Sequence, residues 1–173
     1  MLRNILYASD LGLFGPYLLE HVCELAFRHQ ARVTVIHAVE PVSVFAGALL
    51  ETYVPQKDKK ALKQHGYQAV MATIRARVRQ AFEEDFIDFQ GPLDCIAGVE
   101  VQEGDAWQVI LDTAERTGAD LIVMGSRSGH QSRGTTIGSV ASKVLQLSPV
   151  PVYLVPVDTV QRNPEATLRR TRT

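Results

Sequence analysis

Cysteine is scarce in this chain, with only Cys23 and Cys95 in 173 residues. So few, so far apart in the sequence, leave no disulfide-stapled scaffold and no cysteine-based zinc site. Each lies within an apolar stretch, which fits reduced core thiols and a reducing cytoplasm as the compartment. Charge of one sign is equally scarce. A formal net charge of −1 supplies no global electrostatic attraction to nucleic acid or to an anionic membrane, and the only basic bias is local, in the terminal LRRTRT. No apolar run approaches the roughly 20 residues of a membrane-spanning helix. The opening MLRNILYASDLG has a small basic head, but Ser9 and Asp10 interrupt its apolar run, so it reads as neither signal peptide nor transit sequence.

The signatures of several reaction classes are missing too. No G-x-x-x-x-G-K-[ST] occurs, since Lys143 falls well inside a helical pattern, and no G-x-G-x-x-G follows the first strand. There is no G-x-S-x-G elbow, no H-E-x-x-H and no Cys/His spacing suited to zinc. Neither a catalytic residue nor a metal ligand is expected.

What is present is a 46% hydrophobic composition, enough for one compact domain with a sizeable core. The domain is expected over residues 1–157, followed by a polar, disordered tail over 158–173. Strands and helices alternate along it. Asn4–Ala8 reads as a first strand, ending at Ser9 and Asp10. Pro16 suits the first turn of a helix with the stripe Leu18, Leu19, Val22, Leu25 and Ala26. Val33–Val39 is a β-branched second strand. Ala61–Asp85 reads as a long helix from Tyr67, Val70, Met71, Ile74, Val78 and Phe82, with Arg75, Arg77 and Arg79 solvated. Cys95–Val101 is a third strand. Asp105 and Gln108 have capping-box spacing before a helix with the stripe Ala106, Val109, Ile110, Thr113 and Ala114, closed by Gly118. Leu121–Met124 and Val150–Val155 are strands four and five. This alternation predicts an α/β fold, a doubly wound five-stranded parallel sheet with helices on both faces.

The stretch DLIVMGSRSGHQSRGTTIGS, from Asp120 to Ser139, carries the functional signal. An apolar strand runs into a Gly- and Ser-rich loop that opens a helix with the stripe Ile137, Val140, Ala141 and Val144. Gly138 and Ser139 thus fall at the first turn, where backbone N–H groups lack intrahelical partners and attract anions. In doubly wound sheets ligands bind beyond the carboxyl ends of the strands. Ser9 and Asp10, Ala38 and Val39, and the Gly125 loop share that edge, so a nucleotide could lie across them with its phosphates on the loop. Asp10 alone could equally be a turn residue, and His37 inside an apolar strand reads as a satisfied core histidine rather than a base. Arg127, Arg133 and Lys143 are basic residues placed to offset phosphate charge.

Over nearly its whole length the chain resembles the universal stress protein family. The resemblance rests on NILYASDLG, VTVIHAVEP, VEVQEGDAWQVILDTAERTGADLIVMGSRS and IGSVASKVLQLSPVPVYLVP. It implies a Rossmann-like, adenine-nucleotide α-hydrolase-like fold. ATP-binding members share a loop G-x2-G-x9-G-[ST]. Gly125 matches its first glycine, and Gly138 and Ser139 its last glycine and hydroxyl; Ser128 occupies the second glycine position, with glycine one residue later at Gly129. The resemblance implies a nucleotide-responsive signalling module that binds ATP, with Mg2+, through Ser9, Asp10, Ala38, Val39, Gly125, Arg127, Ser128, Gly129, Gly138, Ser139 and Val140. It also implies a homodimer through strand five, by Val150, Val152, Tyr153 and Val155. Two other readings are an interaction dimer whose phosphate loop has decayed at Ser128 and an ATP-using adenylating or pyrophosphatase enzyme. The apolar segment Pro41 to Gln56 is expected to cover the nucleotide edge, contact a second subunit, or pack as a surface loop.

Overall fold

The computed structural model describes residues 1–12, 14–39, 94–127 and 137–157, with helical residues at 69, 72–73, 76–80, 82 and 84. The expectations for Pro41 to Gln56, Tyr67, Val70, Met71, Ile74, Ser128, Gly129, Arg133 and the tail beyond residue 157 lie outside the described residues. Among the described residues five strands and three full helices follow one another: β1 (Asn4–Ala8), α1 (Gly15–His29), β2 (Arg32–Val39), β3 (Ile96–Glu103), α2 (Ala106–Thr117), β4 (Leu121–Gly125), α3 (Ser139–Leu147) and β5 (Val152–Val155). The strands form one sheet in the order β3-β2-β1-β4-β5. Every pairing is parallel. The chain winds outward from β1 to β3 and then returns to the other side of β1, so strand order reverses between β1 and β4.

Both sheet faces are apolar because successive side chains point to opposite sides of a strand. Ile5, Tyr7, Val33, Val35 and Val123 face one side and pack with Leu18, Leu19, Val22 and Ala26 of α1. Val78 and Phe82, two of the residues marking the long helix in the sequence, join this layer. Leu6, Ile36, Ile122 and Met124 face the other side and pack with Val109, Ile110 and Ala114 of α2 and Ala141 and Val144 of α3. Arg77 and Arg79 are exposed, as their polar face requires.

Element ends follow local chemistry, with corrections to the sequence reading. Pro16 sits in the first turn of α1. Gly118 stops α2 in the left-handed region at φ 59°, a conformation that glycine adopts without a Cβ penalty. The capping box at the start of α2 does not form: the Asp105 side chain makes no cap hydrogen bond, and Gln108 is exposed. β3 begins one residue later and ends two residues later than expected. β5 is four residues long rather than six. Pro151 has no N–H to give a ladder, and the Ser148 hydroxyl takes both backbone groups of Val150, donating to its carbonyl at 2.7 Å and accepting from its N–H at 3.2 Å.

At the opposite end of the sheet, Asp120 staples the entrance of β1. Its Oδ2 accepts from the backbone N–H groups of Arg3 at 2.7 Å and Asn4 at 3.0 Å, and these bonds hold its pKa below the ordinary 3.8. A depressed folded pKa means that the stabilisation is complete above the unfolded value and is lost as pH falls through the folded one. Asp120→Asn is therefore expected to lower the urea midpoint at neutral pH, with the gap to the parent closing as the solution is acidified past that range. A gap independent of pH would assign the effect to something other than the carboxylate charge.

Candidate functional site

The turn after β1 is built from two short side chains that bond to the backbone two residues ahead. Ser9 Oγ accepts from the Leu11 N–H at 3.2 Å, and Asp10 Oδ1 accepts from the Gly12 N–H at 2.9 Å. These bonds hold Leu11 in the left-handed region at φ 56°. The Ser9 N–H donates to Ile36 O at 3.0 Å, and the Ser9 carbonyl is 2.8 Å from His37 Nδ1. A carbonyl only accepts, so Nδ1 carries the proton in that contact and the neutral ring is the Nδ1–H tautomer. His37 is half-buried on the wall of a cleft rather than sealed in the core. It ties the ends of β1 and β2 together.

The loop after β4 is clasped at both ends by one buried residue. Ser126 donates its N–H to Val155 O at 2.8 Å and accepts from the Gly138 N–H at its carbonyl at 2.8 Å. Its Oγ accepts from the Val157 N–H at 3.2 Å. Residues 126 and 138 are thus hydrogen-bonded to each other, and the start of α3 is set against the end of β4. Neither Gly125 nor Gly138 has a positive φ. A Cβ on Gly125 would meet Arg127 O at 3.4 Å and Leu18 Cδ1 at 3.5 Å, on the α1 side of the sheet, and one on Gly138 would meet Arg127 Cα and Ser126 O at 3.5 Å, so both glycines back closely onto the Ser126–Arg127 turn.

These loops enclose a cleft of about 670 Å3 beyond the carboxyl ends of the strands, where strand order reverses. Its wall brings together Ser9, Asp10, Ala38, Gly125, Arg127, Gly138, Ser139 and Val140. Val39 stands off it, at the end of β2, with its carbonyl accepting from the Gly104 N–H at 3.0 Å. The wall also includes Ile36, His37, Ala106, Ile110, Met124 and Ser142, which the sequence reading assigned no part in a site. Ile110 and Met124 belong to the core layer between sheet and helices, so the cleft floor is apolar.

Two helix N-termini meet at this cleft, α2 at Ala106 and α3 at Ser139. Neither has a side-chain cap bond and neither has an acidic residue in its first turn. Gly138 is the N-cap of α3 in extended conformation, and the Ser142 N–H is the first to return to its carbonyl, at 2.8 Å. The N–H groups of Ser139, Val140 and Ala141 are accordingly the open donors of that turn. Lys143, expected to offset phosphate charge, does not line the cleft: its Nζ lies 5.0 Å from the centre of the Trp107 ring, a cation–π contact between α3 and α2. Among the described residues no cluster of three or more His, Cys, Asp or Glu could hold a metal ion. No helix among them is long and apolar enough to cross a membrane.

The model of the universal stress protein family matches residues 1–156. A universal stress protein of Synechocystis sp., Sll1654, is 30% identical over 157 residues, covering 90% of this chain and 87% of that protein. A homologue of universal stress protein A from Haemophilus influenzae is 23% identical, covering 91% and 98%. Among solved structures, UspA of Lactobacillus plantarum superposes with a TM-score of 0.58 at 22% identity, covering 89% of this chain and 97% of that one. A universal stress protein solved in complex with cAMP has a TM-score of 0.55 at 17% identity, covering 90% and 97%. A parallel sheet wound in the order 3-2-1-4-5, a Ser126–Gly138 backbone clasp between β4 and α3, and a family match from the first strand to the last together establish that the chain belongs to the universal stress protein family.

Proposed function

We propose that the cleft binds an adenine nucleotide, ATP with Mg2+, and that the protein works as a nucleotide-responsive signalling module. The observation that carries this reading is the convergence of two uncapped helix N-termini on one cleft with an apolar floor, with Gly125 and Gly138 in its lining. Helix ends of this kind favour phosphate, and the floor suits a planar base. The phosphates lie on the first turn of α3 beside Arg127. The base lies by the β2 end, where the Ala38 backbone reads it, and Asp10 meets the ribose. The family relationship and the cAMP complex of one fold neighbour support a nucleotide as the ligand class. The reading is one of binding rather than turnover, with the domain's conformation or partner choice as the output.

Titration calorimetry tests it. Mg-ATP is expected to bind in the micromolar range and more tightly than AMP, because the extra phosphates reach the α3 end; cAMP is measured beside them. Equal affinity for ATP and AMP, or no heat with any of the three, overturns the assignment.

The turn at Asp10 offers a second, independent test. A Cβ on Gly12 would lie 3.0 Å from Asp10 Oδ1 and 3.1 Å from Oδ2, so the carboxylate must move if alanine is placed there. Gly12→Ala is expected to leave the fold intact and to weaken ATP about tenfold, the size of one lost hydrogen bond to a charged group. Unchanged affinity would remove Asp10 from the ribose.

The protein is further proposed to be a homodimer through β5. Among the described residues that strand is the sheet edge, paired only with β4, and Tyr153 is 39% exposed. An unpaired edge of this kind accepts a second copy in antiparallel register.

A further inference from the structure

The two cysteines, remote in sequence, meet in the fold. Cys23 lies on the buried face of α1, and Cys95 directly precedes β3, where its carbonyl accepts from the Val33 N–H at 2.8 Å. Their sulfur atoms are 3.8 Å apart, and both are free thiols. We infer that Cys23 and Cys95 form an oxidisable dithiol, which hydrogen peroxide converts to an intramolecular disulfide joining α1 to the start of edge strand β3.

The two sulfurs have different environments, and this sets the order of events. Cys23 is 6% exposed, whereas Cys95 is only half-buried. Burial, reinforced by the neighbouring Cys95, pushes the Cys23 thiol up to about 12, so it is protonated at neutral pH. Cys95 is therefore the attacking group. Its thiolate sulfur takes the distal oxygen of the peroxide, the O–O bond breaks, and hydroxide leaves as water after protonation; the product is a Cys95 sulfenic acid. The Cys23 sulfur then attacks the Cys95 sulfur as its proton passes to the departing hydroxide, giving a second water and the S–S bond. Two thiols and one peroxide yield one disulfide and two waters. The sulfurs, 3.8 Å apart in the reduced form, close to about 2.05 Å when the bond forms.

The pair sits by the N-terminal end of β3, whereas the proposed nucleotide cleft lies beyond the C-terminal ends of the strands. Its chemistry does not depend on a nucleotide. The cross-link would close a long loop and constrain the unfolded chain, so the oxidised form is expected to melt about 5–15 °C higher than the reduced form.

The experiment is peroxide treatment of the reduced full-length protein, followed by intact mass and peptide mapping. The expected result is a loss of 2 Da, no free thiol after denaturation, a Cys23–Cys95 cross-linked peptide, and recovery with dithiothreitol. In Cys23→Ala, Cys95 should instead accumulate a sulfenic acid that dimedone traps, since the second thiol is gone. In Cys95→Ser, Cys23 should stay unmodified under the same exposure. A mass gain of 16 or 32 Da on the parent protein without cross-linking, disulfide-linked dimers in place of the internal bond, or thiols that resist peroxide would overturn the inference. Cross-linking without any effect on ATP titration is the expected outcome, so failure of either proposal is seen separately from the other.

Discussion

Replacing Gly138 with valine is expected to lower the affinity for Mg-ATP by about a hundredfold while the domain stays folded. Gly138 is the N-cap of α3 with φ −68° and ψ 158°, an extended conformation that valine adopts without strain. A Cβ there would lie 3.5 Å from Arg127 Cα and 3.5 Å from Ser126 O, ordinary contact distances. The stability loss should stay near 1 kcal/mol, the typical penalty for an aliphatic residue at an N-cap. The methyl groups of valine reach further, over the first turn whose N–H groups are proposed to hold phosphate. Loss of one or two charge-assisted bonds of about 1.5–3 kcal/mol each accounts for the expected decline. Gly138→Ala should show a smaller decline in the same direction. Calorimetry with circular dichroism as the fold control decides it: a folded valine variant that keeps its affinity would place the phosphates elsewhere.

The second large effect separates the sheet edge from the sheet core. Val155 is 0% exposed and packs in the layer beneath α1, and its carbonyl receives the Ser126 N–H that clasps the loop. Val155→Lys would force an ammonium group into that layer with no partner there, and a loss above about 4 kcal/mol is expected, enough to unfold a marginal domain. Tyr153, two residues earlier, has its ring 6.1 Å from that of His21 and is partly open to solvent. Tyr153→Lys should cost less than about 1.5 kcal/mol, since only the modest ring contact and part of the buried area are lost. The proposed dimer should nevertheless dissociate in analytical ultracentrifugation, because like charges would face each other across the two-fold axis. A Tyr153 variant that stays dimeric would move the interface to another surface. Although both residues are hydrophobic members of the same predicted edge strand, only Tyr153 can report on assembly.

Much of the fold was legible in local patterns. The alternation Ile5–Leu6–Tyr7 within an all-apolar run and the helical stripe from Leu18 to Ala26 each describe how one element buries its own surface, and burial follows from periodicity. The glycines at 125 and 138 were equally readable, because the strand-loop-helix order places one at a strand end and the other at a helix start whatever surrounds them. Local chemistry also misled where it had a competitor. Asp105 and Gln108 had the spacing of a capping box and do not form one. Pro151 and the Ser148 hydroxyl bonds to the Val150 backbone shortened β5 although its composition stayed apolar throughout.

The strand order and neighbours were decided only by tertiary structure, since spacing along a chain does not encode which strand ends lie side by side. His37 was read as a core residue from the apolar residues flanking it; the pairing of β1 with β2 sets it against Ser9 O on the cleft wall instead. Cys23 and Cys95 were read as separate thiols, and packing of α1 beside the start of β3 brings their sulfurs to 3.8 Å. The sequence by itself determined an α/β domain with an anion-favouring helix end, because periodicity and backbone donors are properties of single segments. Assembly of the cleft from the ends of β1, β2, β4, α2 and α3, and of the dithiol from α1 and the start of β3, came from long-range contacts that no single segment contains.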